Sequence, residues 1–206
     1  MKREKYEWAD IWWEEADNAE LGRALLIGDS IARDYRKGVQ EKLRGICLVD
    51  SLTTSKGIDD PMLAMEVNYM LAQYPYRLIH FNNGLHGQHV GIRDYRASLR
   101  YIANILLSSC PLVALATSTP ASERADLALY GARNEQVRER NAAVREIAES
   151  MGLAVSDLYA AMEGRPEYKK DSSHFTDEGI AIQAAMVAGL IGRALGGPGA
   201  GASAGN

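Results

Sequence analysis

Five short apolar runs, at residues 24–27, 46–49, 78–81, 112–116 and 153–155, show no polar alternation, and each is followed by a stretch long enough for a helix. A strand with one face in water alternates apolar and polar side chains, whereas a strand covered on both faces does not. Strand and helix alternating five times therefore predicts an α/β, doubly wound fold, because each right-handed crossover lays its helix across one face of a parallel sheet. The helical stretches support this. Tyr95, Leu99, Ile102 and Leu106 recur at helical spacing, as do Val137, Val144, Ile147 and Met151 ahead of Gly152, a C-terminal stop. Ile180, Ala184, Val187, Ile191 and Leu195 repeat the pattern near the end.

With 206 residues, 47% of them apolar, the chain is expected to form one domain over residues 1–195, with 1–20 as an N-terminal extension packed on it. Residues 196–206 are Gly/Ala-rich with nothing to bury, which predicts a flexible tail. Trp8, Ile11, Trp12 and Trp13 sit at a spacing that one helix face could share, so packing is their expected role, ahead of a platform for sugar rings.

A formal charge of -4 offers no electrostatic footprint for nucleic acid or an anionic membrane. The opening MKREKYEWADIWWEEAD has no apolar core of a secretory signal, and no later run is long and apolar enough to span a bilayer. Cys47 and Cys110 make no disulfide framework. These features together predict a reduced, cytoplasmic protein. No cofactor is implied, and a homo-oligomer is neither required nor excluded.

Ligands of such sheets bind outside the carboxyl ends of the strands. The residues expected there are Gly28-Asp29-Ser30, Asp50-Ser51, Asn82-Asn83-Gly84 and Thr117-Ser118. The long connection 118–132 lies on the same rim and offers Arg124, Tyr130, Arg133 and Asn134 for substrate contact. Ser30 sits between the first apolar run and a helix marked by Ile31, Tyr35, Val39 and Leu43. Taken alone it reads as an N-cap worth ~1 kcal/mol. The alternative is a nucleophile at a helix N-terminus, where free N–H groups and positive potential suit an oxyanion. A serine nucleophile needs a base, and the chain has four histidines: His80, His86, His89 and His174. His174 follows Asp171 by three residues, just before a helix opened by Thr176, and a carboxylate so placed can orient its Nδ1–H. His80, between Ile79 and Phe81, reads as a satisfied core histidine.

Gly-Asp-Ser after the first strand and Asp-x-x-His before the last helix, in that order, resemble blocks I and V of the SGNH hydrolase family. The resemblance covers roughly residues 25–195. It implies a three-layer α/β/α flavodoxin-like fold with a five-stranded parallel sheet, and a Ser30, His174, Asp171 triad cleaving carboxylic esters. It also implies an oxyanion hole built from the N–H of Ser30, the N–H of a block II glycine and a block III asparagine side chain. Gly57 stands in the block II place. Block III departs from the family's usual Gly-x-Asn-Asp, which appears here as Gly84-Leu85-His86-Gly87, so His86 occupies the asparagine's position. An imidazole N–H can donate as an amide does, and Asn83 is the competing donor. Asp29, Asn82, Asn83 and Arg133 are the expected substrate-binding residues.

The resemblance implies a small-molecule or saccharide ester as partner, with short acyl groups and O-acetylated carbohydrates foremost. Two other classes stay open. One is a non-catalytic ligand-binding module on the same fold; the other is a metal-dependent hydrolase using His86 and His89, three residues apart. The first reading expects no metal.

Overall fold

The structure, a computed structural model, describes Lys2 and residues 4–196. The expected flexible tail falls almost wholly outside the described residues. Six strands form one sheet: β1 (Ala9–Trp12), β2 (Arg23–Gly28), β3 (Leu48–Thr54), β4 (Tyr76–Phe81), β5 (Val113–Ala116) and β6 (Ala154–Ser156), in the order β1-β3-β2-β4-β5-β6. All neighbours run parallel except β1, which pairs antiparallel with β3. The helices are α1 (Ser30–Lys42), α2 (Pro61–Leu71), α3 (Ile92–Ser109), α4 (Ala132–Met151), α5 (Leu158–Met162) and α6 (Asp177–Ala194), with a 3-10 turn at Pro166–Tyr168.

The absence of alternation in the apolar runs has a direct cause. Ala24 and Leu26 of β2 pack with α1 and α6 on one face, while Leu25 and Ile27 pack with α2, α3 and α4 on the other. Every residue of β2 is buried. The helix patterns are equally local in origin: Tyr95, Leu99, Ile102 and Leu106 are the buried stripe of α3, and Gly152 ends α4 in the left-handed conformation.

Two elements differ from expectation. Residues 9–12 form an edge strand, and the tryptophans beside it share no helix face; Arg33 lies over the Trp8 ring and Arg36 over Trp12, tying the extension to α1. The second strand is longer than its apolar core, so Asp50 and Ser51 lie inside β3, fully buried, not on the rim. Burial of Asp50 is offset by Arg23 at 2.8 Å, the Tyr76 hydroxyl at 3.2 Å and the Glu14 N–H at 3.0 Å.

The chain moves from β2 to β3 on one side and then returns to place β4 on the other. A crevice opens at such a reversal, beyond the carboxyl ends of these strands. It is bordered by the segments following Gly28, Thr54 and Phe81. Cys47 and Cys110 are buried and free. Among the described residues no helix is long and apolar enough to cross a membrane.

Candidate active site

Asp29, not Ser30, caps α1: its Oδ1 accepts the Ile31 N–H at 2.9 Å. This corrects the N-cap reading of the serine and leaves its hydroxyl free for another partner. That partner is His174, whose Nε2 lies 2.9 Å from Ser30 Oγ. The His174 Nδ1 is in turn 2.9 Å from Asp171 Oδ2. With Nδ1–H donating to the carboxylate, Nε2 is left to accept the serine proton.

The loop carrying the acid and base is held by its own backbone. Asp171 Oδ1 accepts the N–H groups of Ser173 and His174, each at 2.8 Å. The Lys170 N–H donates to the His174 carbonyl at 3.0 Å, and Lys169 bridges to Phe175. Burial pushes the Asp171 carboxyl up, but the hydrogen bonds from His174 and Ser173 and the His174 charge outweigh it and hold it down at about 2. Thr176 then caps α6, as its sequence position predicts.

Ser30 is the first residue of α1, so its N–H has no acceptor within the helix. Gly57 packs backbone to backbone on Gly87: a Cβ at Gly57 would meet the Gly87 Cα at 2.8 Å, and Gly87 has φ +63°. The same contact accounts for a glycine where block III usually has Asp. His86 borders the cleft that contains Gly57, with its Nδ1 2.8 Å from Glu4 Oε1. Asn83 is buried and spends one amide hydrogen on the Lys56 carbonyl at 2.8 Å, joining block III to the Gly57 loop.

Asn82 and Asp29, both expected to touch substrate, are buried and engaged elsewhere. The Asn82 amide donates to the Ala116 carbonyl at 2.8 Å and to Ser118 Oγ at 3.3 Å, which links the ends of β4 and β5; Asp29 serves as the cap. Arg133 remains at the cleft, half-buried, with Nη1 2.9 Å from Ser173 Oγ.

The cleft has a volume of about 850 Å³. Gly57, His86, Ser122, Arg124, Arg133 and Ser172 line it, together with Lys2, Glu4, Lys5 and Glu7 of the N-terminal segment. Loop 118–132 is fastened to the acid-base loop by the Ser122 N–H donating to the Ser172 carbonyl at 2.8 Å and by Lys169 Nζ donating to the Pro120 carbonyl. Burial pushes the Lys169 ammonium down to about 8.

Two polar residues on the buried stripe of α4, Arg140 and Asn141, hold these loops and were not singled out from the sequence; Asn134 of the same helix, expected to contact substrate, is buried and spends its amide on the protein instead. Arg140 donates to the carbonyls of Gly84, His86, Gly87 and Val90 at 2.7–3.2 Å, with its guanidinium over the Tyr95 ring. Asn141 accepts from Ser118 N–H at 2.8 Å and donates to its carbonyl at 2.9 Å, and Asn134 accepts the Ala121 N–H at 3.0 Å. A signal existed: Arg140 and Asn141 lie three and four residues from Val137 and Val144, on the apolar face. A charged residue there needs a buried partner.

His80 is buried with neither ring nitrogen hydrogen-bonded, so it is a core histidine but not a satisfied one. His89 pairs with Asp59 at 2.9 Å while His86 faces Glu4. Among the described residues no three His, Cys, Asp or Glu side chains converge to hold a metal.

No protein-family model matches the sequence, and no curated protein matches it. Solved structures do. A GDSL-like lipase from Bacteroides thetaiotaomicron superposes with a TM-score of 0.69 at 17% identity, over 84% of this chain and 88% of that one. An acetylxylan esterase from Geobacillus stearothermophilus gives 0.66 at 16% identity, over 85% and 94%. A carbohydrate acetylesterase from Sinorhizobium meliloti gives 0.68 at 13% identity, over 82% and 98%. The chain therefore has the three-layer α/β/α fold of the GDSL-like, or SGNH, esterases, with an antiparallel edge strand added to the expected five.

Proposed function

We propose that this chain is a serine carboxylic-ester hydrolase of the SGNH kind, acting on short acyl esters and foremost on O-acetylated carbohydrates. The observation that carries the reading is the relay from Ser30 Oγ to His174 Nε2 and from His174 Nδ1 to Asp171, both links 2.9 Å long, at the carboxyl ends of parallel strands. A fold shared with acetylxylan and carbohydrate acetylesterases supports the substrate class. Residues 1–195 act in this reading as one catalytic domain.

Ser30 Oγ attacks the ester carbonyl as His174 takes its proton, and Asp171 stabilises the imidazolium so formed. The N–H groups of Ser30 and Gly57 and the His86 ring donate to the oxyanion. Collapse of the tetrahedral adduct passes the His174 proton to the leaving alcohol. Water, deprotonated by His174, then releases the acid from Ser30. Gly57, His86 and Arg133 border the cleft in which the ester would lie. A metal-centred alternative draws no support from His86 and His89, which face separate carboxylates.

A screen of acetylated saccharides and short-chain esters, read as acid released by purified protein, tests class and substrate together. Release of acetate from at least one acetylated sugar, lost in Ser30→Ala, is expected. Binding of such ligands without turnover would favour the non-catalytic module.

A further inference from the structure

Among the described residues, five arginines are at least partly buried: Arg23, Arg36, Arg96, Arg133 and Arg140. Four have an answer to their charge. Arg23 pairs with Asp50, Arg96 with Glu146, Arg36 lies over the Trp12 ring, and Arg140 meets four carbonyls. Arg133 has one hydroxyl, Ser173 Oγ, and its Nε, like that of Arg36, is buried without a partner, but no ring or carboxylate of the described residues lies against its guanidinium. No carboxylate of the described residues lies within ion-pair distance of it.

The second guanidinium of the same cleft, Arg124, makes no ion pair either, and the two like charges oppose each other. The cleft is also lined by Glu4, Glu7, Asp59, Asp60 and Glu123, none of which makes an ion pair with either arginine: Glu123 lies against Gly131 at the start of α4, Glu4 is hydrogen-bonded to His86 and Asp59 to His89. Next to the arginines, Ser122 Oγ is buried without a partner. A half-buried guanidinium with no ion pair, though Glu4, Asp171 and Asp29 act on it from a distance, a second cation and a free hydroxyl lining one cleft form a donor set lacking a direct acceptor. The same two arginines also border a depression containing Asp171 and His174, so the set adjoins the relay to Ser30.

We infer that Arg133 and Arg124, with the Ser122 hydroxyl, form an anion subsite beside the Ser30–His174 pair, so that the ester taken by this site carries a carboxylate or phosphate group near the scissile bond. The inference rests on the esterase reading for its substrate, though the subsite binds an anion whether or not turnover follows. Guanidinium groups pair bidentately with either oxyanion.

The test compares 4-acetoxybenzoate and 4-acetoxyphenyl phosphate with the neutral methyl 4-acetoxybenzoate. Wild type is expected to favour at least one charged ester by about tenfold or more in kcat/KM, since a charge-assisted hydrogen bond is lost with the neutral group. Which ester is favoured separates carboxylate from phosphate. Arg133→Ala should bring the ratio to about one, and Arg133→Lys should restore part of it. Equal rates for all three esters in wild type, or a charge preference that survives Arg133→Ala, would overturn the subsite while leaving the esterase reading intact. Calorimetric binding of the same compounds to Ser30→Ala protein gives a second readout. Anion binding that is lost on adding Arg133→Ala supports the subsite even if no ester is hydrolysed, a result that would overturn only the esterase reading. Binding that is absent, or indifferent to Arg133, overturns the subsite.

Discussion

Arg140 Nη1 lies 2.8 Å from the His86 carbonyl oxygen, so a cation in the middle of α4 fixes the backbone of the loop that carries the block III histidine. The same guanidinium holds Gly84, Gly87 and Val90. Arg140→Met would fill much of the space but strand these carbonyls. It is expected to cost roughly 3 kcal/mol in urea unfolding, because buried acceptors lose their donor. Ester hydrolysis by the folded fraction should fall as well, since Gly57 packs on Gly87. Full activity per folded molecule would show that this loop does not shape the site.

His86 donates to Glu4 through Nδ1 when the ring is neutral in that tautomer, and its Nε2 is then an acceptor. It can donate to an oxyanion from Nε2 only as the imidazolium, or from Nδ1 once released from Glu4. His86→Asn, which supplies an amide donor, is expected to keep activity within about tenfold, whereas His86→Ala should lose about a hundredfold in kcat. If His86→Ala keeps its activity and Asn83→Ala loses it, the third donor is Asn83.

The neutral state of His80 makes a pH prediction. Burial pushes its ring down from 6.5 to about 4. Between these values the unfolded chain binds a proton that the folded chain refuses, so stability is unaffected by this ring above pH 6.5 and falls as pH drops from there through 4. His80→Leu loses no hydrogen bond and should unfold within about 1 kcal/mol of wild type at pH 7. Near pH 4 it should be the more stable protein, by up to about 3 kcal/mol. Equal acid sensitivity in denaturant titrations at pH 7 and pH 4 would count against a buried neutral ring.

Asp171 behaves in the opposite sense. Its folded value of about 2 lies below the ordinary 3.8, so its stabilisation is complete above pH 3.8 and is lost as pH falls through 2. Asp171→Asn should therefore lower stability at pH 6 and match wild type below pH 2. In the proposed mechanism it also lowers kcat by about 10³–10⁴, because the ring loses the acceptor that sets its tautomer.

The parts legible in the sequence are those set by neighbours along the chain. Unbroken apolar runs gave β2, β4, β5 and the core of β3; the heptad-like stripes of α3 and α4 gave the helices; short junction motifs picked out Ser30, Asp171 and His174 as candidates, whose side chains the fold brings within hydrogen-bond distance. The remainder depends on contacts far apart in sequence. Residues 9–12 become a strand because β3 offers an unpaired edge, which no local spacing reveals. Asp50 can stay inside β3 because Arg23 and Tyr76 meet it from other strands. Arg140 was visible as a charge on an apolar stripe, but its four carbonyl partners lie 50 to 56 residues away.

Ser30 Oγ and His174 Nε2 meet across 144 residues of sequence, and the proposed function depends on that contact. The most direct measurement is the rate at which a fluorophosphonate labels the protein, with the modified residue identified by peptide mass spectrometry, in wild type and His174→Ala. One label per chain on Ser30, slowed by about a hundredfold or more in His174→Ala, is the predicted result. Absence of label on folded wild-type protein, or labelling of Ser30 at the same rate without His174, would contradict it.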